Sequence, residues 1–129
     1  MDQNQLHYGI SLKLYFENKA FGPGMSVLLR GVESTGSLQG AAQTMSMAYS
    51  KAWKMLQESA NAWGFMLKER QTGGRDGGGS TLPTKEVRLL EAYDAFMAET
   101  RQELDRLFEQ HFSQEWVEEL KQSAEQADE

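Results

Sequence analysis

Five of the chain's twelve glycines fall within ten residues, Thr72 to Thr81, around the single arginine Arg75. Glycine loses more backbone freedom on folding than any other residue, so such a run serves left-handed turns, close approach to another molecule, or a segment ordered only on binding. Its flanks narrow the choice. Phe65 to Gln71 alternates as a strand, with Phe65, Leu67 and Glu69 on one side and Met66, Lys68 and Arg70 on the other. Ser80-Thr81-Leu82 returns as its partner before Pro83 interrupts pairing. The run therefore reads as the long tip of a β-hairpin set between helical patterns. Gly74 to Thr81 approaches the nucleotide-binding loop G-x-x-x-x-G-K-[ST], but Ser80 stands where lysine is required and a hairpin replaces the strand-loop-helix context.

Upstream of the hairpin, hydrophobic spacing gives three helices. Pro23 suits a first helical turn, Met25, Leu28, Leu29 and Val32 follow at helical spacing, and Gly36 ends the helix as a left-handed cap. Ser37 is the N-cap of a short second helix with Leu38, Ala41, Ala42 and Met45 inward. A tight break over residues 44–47 leads to a third helix with Tyr49, Trp53, Leu56, Ala60 and Trp63 inward. Ser50, Lys51, Lys54, Gln57, Glu58 and Asn61 lie outward. Two helices joined by a few residues, the second with a polar and basic outer face, match a helix-turn-helix, and the hairpin that follows makes it a winged helix. Near the N-terminus, Ile10, Leu12, Leu14 and Phe16 alternate with Ser11, Lys13, Tyr15 and Glu17 as a half-buried strand, a candidate addition to the wing's sheet, with a turn over residues 17–20.

From Thr84 one long helix follows, with Leu90, Tyr93, Met97, Thr100, Leu104, Leu107 and His111 recurring at spacings of three and four. At about 1.5 Å per residue it reaches roughly 40 Å to His111, longer than a small domain needs, so the stripe predicts packing on a partner helix. Ser113 is the N-cap of a last helix running to about Ser123. The expected fold is mainly α with a small β-hairpin sheet: a winged helix-turn-helix over residues 1–83 and C-terminal dimerisation helices over 84–129.

Net charge is −6, which argues against nucleic acid until its distribution is read. Residues 37–88 hold seven basic and four acidic side chains, whereas residues 89–129 hold three basic and twelve acidic. The chain is polarised, with a mildly basic middle and an acidic tail whose simplest role is solubility. The absence of cysteine excludes disulfides and thiolate chemistry. His111 and Glu115 share a helix face, but one histidine and one carboxylate cannot fill a coordination sphere. No nucleophile-base pair or carboxylate dyad stands out, so the chain reads as a non-enzyme without cofactor. No apolar run approaches the roughly 20 residues of a membrane span and the first residues lack a signal pattern, so a cytoplasmic protein is expected.

Four segments together carry a family resemblance: Phe21-Gly-Pro-Gly24, Thr35-Gly-Ser-Leu38 followed by Gly40-Ala-Ala42, Tyr49-Ser-Lys-Ala-Trp53, and Thr72-Gly-Gly-Arg-Asp-Gly-Gly-Gly79. In order and spacing they resemble the N-terminal DNA-binding domain of ModE-type molybdate-responsive regulators, a LysR-like winged helix, over about residues 8–97. The resemblance implies a dimeric transcriptional regulator with the third helix in the major groove, the glycine-rich wing beside it and the long helix dimerising. Departures are visible. Ala48 stands where the family places serine, with Ser46 the nearest substitute cap, and Ser50 stands where arginine is frequent. The segment after the wing reads Leu82-Pro83-Thr84 rather than Leu-Thr-Pro. No molybdate-binding module is expected within these residues, so molybdate sensing is not carried over.

The leading expectation is thus a sequence-specific homodimer on double-stranded DNA. Ser50, Lys51, Lys54 and Gln57 contact phosphates and base edges, Gly73, Gly74 and Gly77 let the wing backbone approach phosphates, and Arg75 enters the minor groove. Dimerisation falls to Leu90, Tyr93, Met97, Leu104 and Leu107. The alternative is a winged-helix module that has lost DNA affinity and binds an unidentified protein, which the net charge and Ser50 favour.

Overall fold

The computed structural model describes residues 4–64, 68–70 and 79–127, with side chains described for 4–64 and 82–122. The chain forms two compact units, one of Ser11–Ala95 and one of Met1–Ile10 with Phe96–Glu129.

The first unit begins with a short antiparallel pair, β1 (Leu14–Tyr15) and β2 (Lys19–Phe21), in which Leu14 faces Phe21 and Tyr15 faces Lys19. Burial alternates along residues 10–15 as the sequence pattern predicts, but only two residues of β1 are hydrogen-bonded as strand. Residues 19–21, read as the end of a turn and its exit, are β2 itself. Helix α1 (Pro23–Thr35) starts at Pro23 and ends at Gly36, whose φ of 84° lets its N–H reach the Val32 carbonyl at 2.8 Å. Its apolar stripe, Met25, Leu28, Leu29 and Val32, is buried as expected.

Helix α2 (Leu38–Thr44) is capped by Ser37, whose Oγ accepts from the Gly40 N–H at 2.9 Å. It packs closely on α1 because Gly31 has no side chain: a Cβ there would sit 2.8 Å from the Ala41 Cβ. Helix α3 (Tyr49–Trp63) packs against both α2 and β2. Phe21, Leu28, Leu29, Val32 and Leu38 are the largest fully buried side chains, each contributing on the order of 1.5–3 kcal/mol on transfer from water.

After α3 comes the hairpin, β3 (Lys68–Arg70) paired antiparallel with β4 (Gly79–Thr81), with Lys68 opposite Thr81, Glu69 opposite Ser80 and Arg70 opposite Gly79. Among the described residues it is a separate two-stranded sheet, so β1 does not extend it. Residues 65–67 and 71–78 lie outside the described residues, and with them Gly73, Gly74, Arg75 and Gly77.

Helix α4 (Thr84–His111) has the bounds the sequence predicts. Its first turns, through Ala95, belong to the winged unit and bury Glu86, Leu90 and Tyr93 there. The fold is a winged helix-turn-helix followed by a long C-terminal helix.

In the second unit, α5 (Gln114–Ala127) follows Ser113, which accepts the Trp116 N–H on its Oγ at 3.2 Å and the Val117 N–H on its carbonyl at 2.9 Å. Tyr8, Phe108, Phe112 and Trp116 form a ladder of rings with successive centroids 5.3, 5.7 and 5.6 Å apart. The Tyr8 hydroxyl donates to the Asp105 carboxylate, and that bond to a carboxylate raises the phenol above its ordinary pKa. No helix among the described residues is long and apolar enough to cross a membrane.

Candidate nucleic-acid interface

The turn between α2 and α3 sets the angle of the second helix. Met45 closes α2, donating to the carbonyls of Ala41 and Ala42 at 3.1 Å, and Met47 donates back to Ala42 at 2.9 Å. Between them Ser46 takes φ 53°, a left-handed conformation that costs an L-residue about 1–2 kcal/mol. Ser46 thus spends its backbone on reversing the chain and does not cap α3. Ala48 is the N-cap and supplies no side-chain bond.

Two hydrogen bonds pin the other end of α3. The Ser59 hydroxyl donates to the Ala20 carbonyl at 2.7 Å and the Trp63 indole N–H donates to the same oxygen at 3.0 Å. The Phe16 ring meets Trp63 edge-on at 4.9 Å. Ala52, Leu56, Ser59 and Ala60 form the buried face. Trp53 and Trp63 are half-buried, which suits packing. Held in this way, α3 presents Ser50, Lys51, Lys54, Gln57, Glu58 and Asn61 to solvent, all exposed as the helical spacing predicts.

One residue of α3 departs from its expected side. Tyr49 shares the core-facing spacing of Leu56 and Ala60, yet it is 45% exposed while they are 3% and 4%. Helical Cα–Cβ bonds tilt toward the N-terminus, so a core-side residue in the first turn is less enclosed than one a turn or two further in. Periodicity gives the side of a helix but not how deeply its first turn is buried.

Leu90 and Tyr93, expected on a dimer stripe, are each only 3% exposed within their own protomer. The Tyr93 hydroxyl donates to the Leu12 carbonyl at 2.8 Å and its ring lies 4.9 Å from Phe21. Beside it, Asp94 pairs with Arg30 and accepts from the Ser26 hydroxyl at 3.3 Å, which ties α4 to α1. Leu90 and Tyr93 are thus buried within their own protomer. Met97, Leu104 and Leu107 are half-buried in the second unit, and Phe96 is 49% exposed.

Glu86 is a buried carboxylate in the first turn of α4, with no hydrogen-bond partner for Oε2 among the described residues. Burial raises its pKa above the ordinary carboxylate value.

A helix-turn-helix with a following hairpin and a solvent-facing row of lysine, serine and amide side chains on its second helix defines a winged-helix module. Comparison with known proteins supplies the relatives. The transcriptional regulator ModE of Haemophilus influenzae is 39% identical over 67 residues, 52% of this chain and 26% of its own length. The DNA-binding transcriptional dual regulator ModE of Escherichia coli is 34% identical over 86 residues, 66% of this chain and 33% of its own length. ModE of Yersinia pestis is 30% identical over 99 residues, 76% of this chain and 38% of its own length. The chain is therefore similar to ModE transcriptional regulators, consistent with their N-terminal DNA-binding domain, as the four sequence segments indicate. It spans between 26% and 38% of the length of these relatives. No family model matches the chain.

Proposed function

We propose that the chain is a DNA-binding transcriptional regulator that acts as a homodimer and reads a specific operator. The observation that carries this reading is the exposed row Ser50, Lys51, Lys54 and Gln57 on the second helix of a helix-turn-helix, in a chain similar to ModE regulators. In such motifs the second helix lies in the major groove. Lys51 and Lys54 meet phosphates or guanine edges, and Ser50 and Gln57 are short enough to contact bases without holding the helix away from the groove floor. The same reading gives Gly73, Gly74 and Gly77 phosphate contacts through backbone N–H groups and Arg75 a contact in the minor groove.

Dimerisation is assigned to Met97, Leu104 and Leu107, joined by exposed Phe96 in place of Leu90 and Tyr93. Phe96, Leu104 and Leu107 recur at spacings of eight and three and so share one helix face. The twelve acidic residues of 89–129 repel DNA and favour approach by the basic middle of the chain.

A mobility-shift assay on selected genomic fragments tests the reading. The parent chain shifts its operator at a concentration that leaves random DNA unshifted. Lys51→Glu with Lys54→Glu abolishes the shift, at least about a hundredfold, because two exposed cations become anions beside phosphate. A folded dimer that shows no specific shift at low salt overturns the proposal.

A further inference from the structure

Two lysines outside the helix-turn-helix gather beside α3. Lys13, just ahead of β1, and Lys19, the first residue of β2, are both exposed, and both lay their side chains against Gly22. A Cβ on Gly22 would sit 3.1 Å from the Lys19 Cε, 3.5 Å from the Lys19 Nζ and 3.5 Å from the Lys13 Cγ. Among the described residues neither lysine has an ion pair or a hydrogen bond. Glu17 and Glu58 line the cleft beside Lys19 without pairing with it. Like charges drawn together repel, and an anion supplied from outside the chain relieves that repulsion.

Their place in the fold says which anion. A Cβ on Gly24 would lie 3.2 Å from the Met55 Cε, so the start of α1 abuts α3 at Met55. Met55 is half-buried and stands one turn past exposed Lys51 on the same face of α3. The major groove is about 12 Å wide and a helix with its side chains about 10–12 Å across, so whatever borders the flank of a helix seated there meets the sugar-phosphate backbone. We infer that Lys13 and Lys19 form a phosphate-binding patch that holds the DNA backbone along one edge of the groove entered by α3. This inference rests on the DNA-binding reading and extends the contact surface beyond α3 and the wing. The patch supplies affinity and register but reads no sequence. It also gives Gly22 a role, since a side chain there crowds Lys19.

Salt titrations of binding to the selected operator and to random duplex test the patch. They compare the parent chain, Lys13→Gln, Lys19→Gln, the double glutamine variant, the double arginine variant, and Lys121→Gln as a control in the second unit. The slope of log affinity against log salt is expected to fall by about one for each lysine replaced by glutamine. The double glutamine variant loses roughly tenfold or more at low salt, equally on operator and random duplex, so discrimination is kept. The arginine pair and Lys121→Gln keep the parent's affinity and slope. Unfolding midpoints of the glutamine variants match the parent, since both lysines are exposed. Three outcomes overturn the inference and leave the DNA reading intact: an unchanged slope in the double glutamine variant, a loss confined to the operator, or an equal loss in Lys121→Gln, which marks net charge alone. A parent chain that binds duplex without discrimination overturns the operator reading, and the slopes still decide the patch. A parent chain that binds no duplex at low salt overturns both.

Discussion

Ser46 holds a left-handed backbone with no glycine to make it easy, and the whole angle between α2 and α3 depends on it. Ser46→Val puts a branched Cβ where even an ordinary one is strained, so the variant is expected to lose about 1–2 kcal/mol in urea unfolding. Operator affinity falls with it. Glu86 is the second residue whose environment opposes its chemistry. Its folded pKa lies above the unfolded value because burial disfavours the charge, so the protonated form contributes stability that is fully present below the ordinary carboxylate pKa and is lost as pH rises through the raised one. Glu86→Gln removes that loss, and the variant is expected to be more stable than the parent at neutral pH, with the advantage gone in acid. Unfolding midpoints across a pH series check it; an advantage independent of pH contradicts the assignment.

At the scale of elements, spacing and caps were highly legible. Gly36 and Ser37 mark a helix end and a helix start with side-chain and backbone chemistry that acts within three or four residues, and α1, α2 and α4 have the predicted bounds. The faces of α3 were mostly legible for the same reason. Tyr49 was not, because periodicity gives the side a residue lies on and not how fully its end of the helix is covered. The strand of residues 8–16 was read too long: alternating burial does not require a hydrogen-bonded partner, and β2 pairs with only two residues of it. The α1–α2 contact makes an element-scale prediction. Gly31→Val overlaps Ala41, whose Cβ lies 2.8 Å from the new Cβ, and is expected to cost about 1–3 kcal/mol by thermal or urea unfolding. Gly9→Ala, with nothing within 4 Å among the described residues, serves as the control and stays within about 0.5 kcal/mol.

For the whole molecule, the central prediction concerns assembly. If Phe96, Met97, Leu104 and Leu107 hold two copies together, Leu104→Asp gives monomers by sedimentation velocity and loses operator binding at the same time, since one copy of α3 covers half a site. Phe96→Asp, at a more exposed position, gives the same result without disturbing the unit's own packing. Dimers that persist in both variants place the interface elsewhere.

The sequence by itself determined the helices in their order, the caps at Gly36 and Ser37, the exposed polar row of α3 and the similarity to ModE regulators, because all of these are local: they depend on residue type and on spacings of a few positions. Tertiary structure alone decided that Leu90 and Tyr93 serve the protomer's own core, that Ser46 turns the chain instead of capping it, and that Tyr49 is 45% exposed. A stripe of apolar residues says that something covers it. Whether that cover is the same chain or a second one depends on where distant segments such as Leu12 and Phe21 come to rest, and no short-range pattern records that.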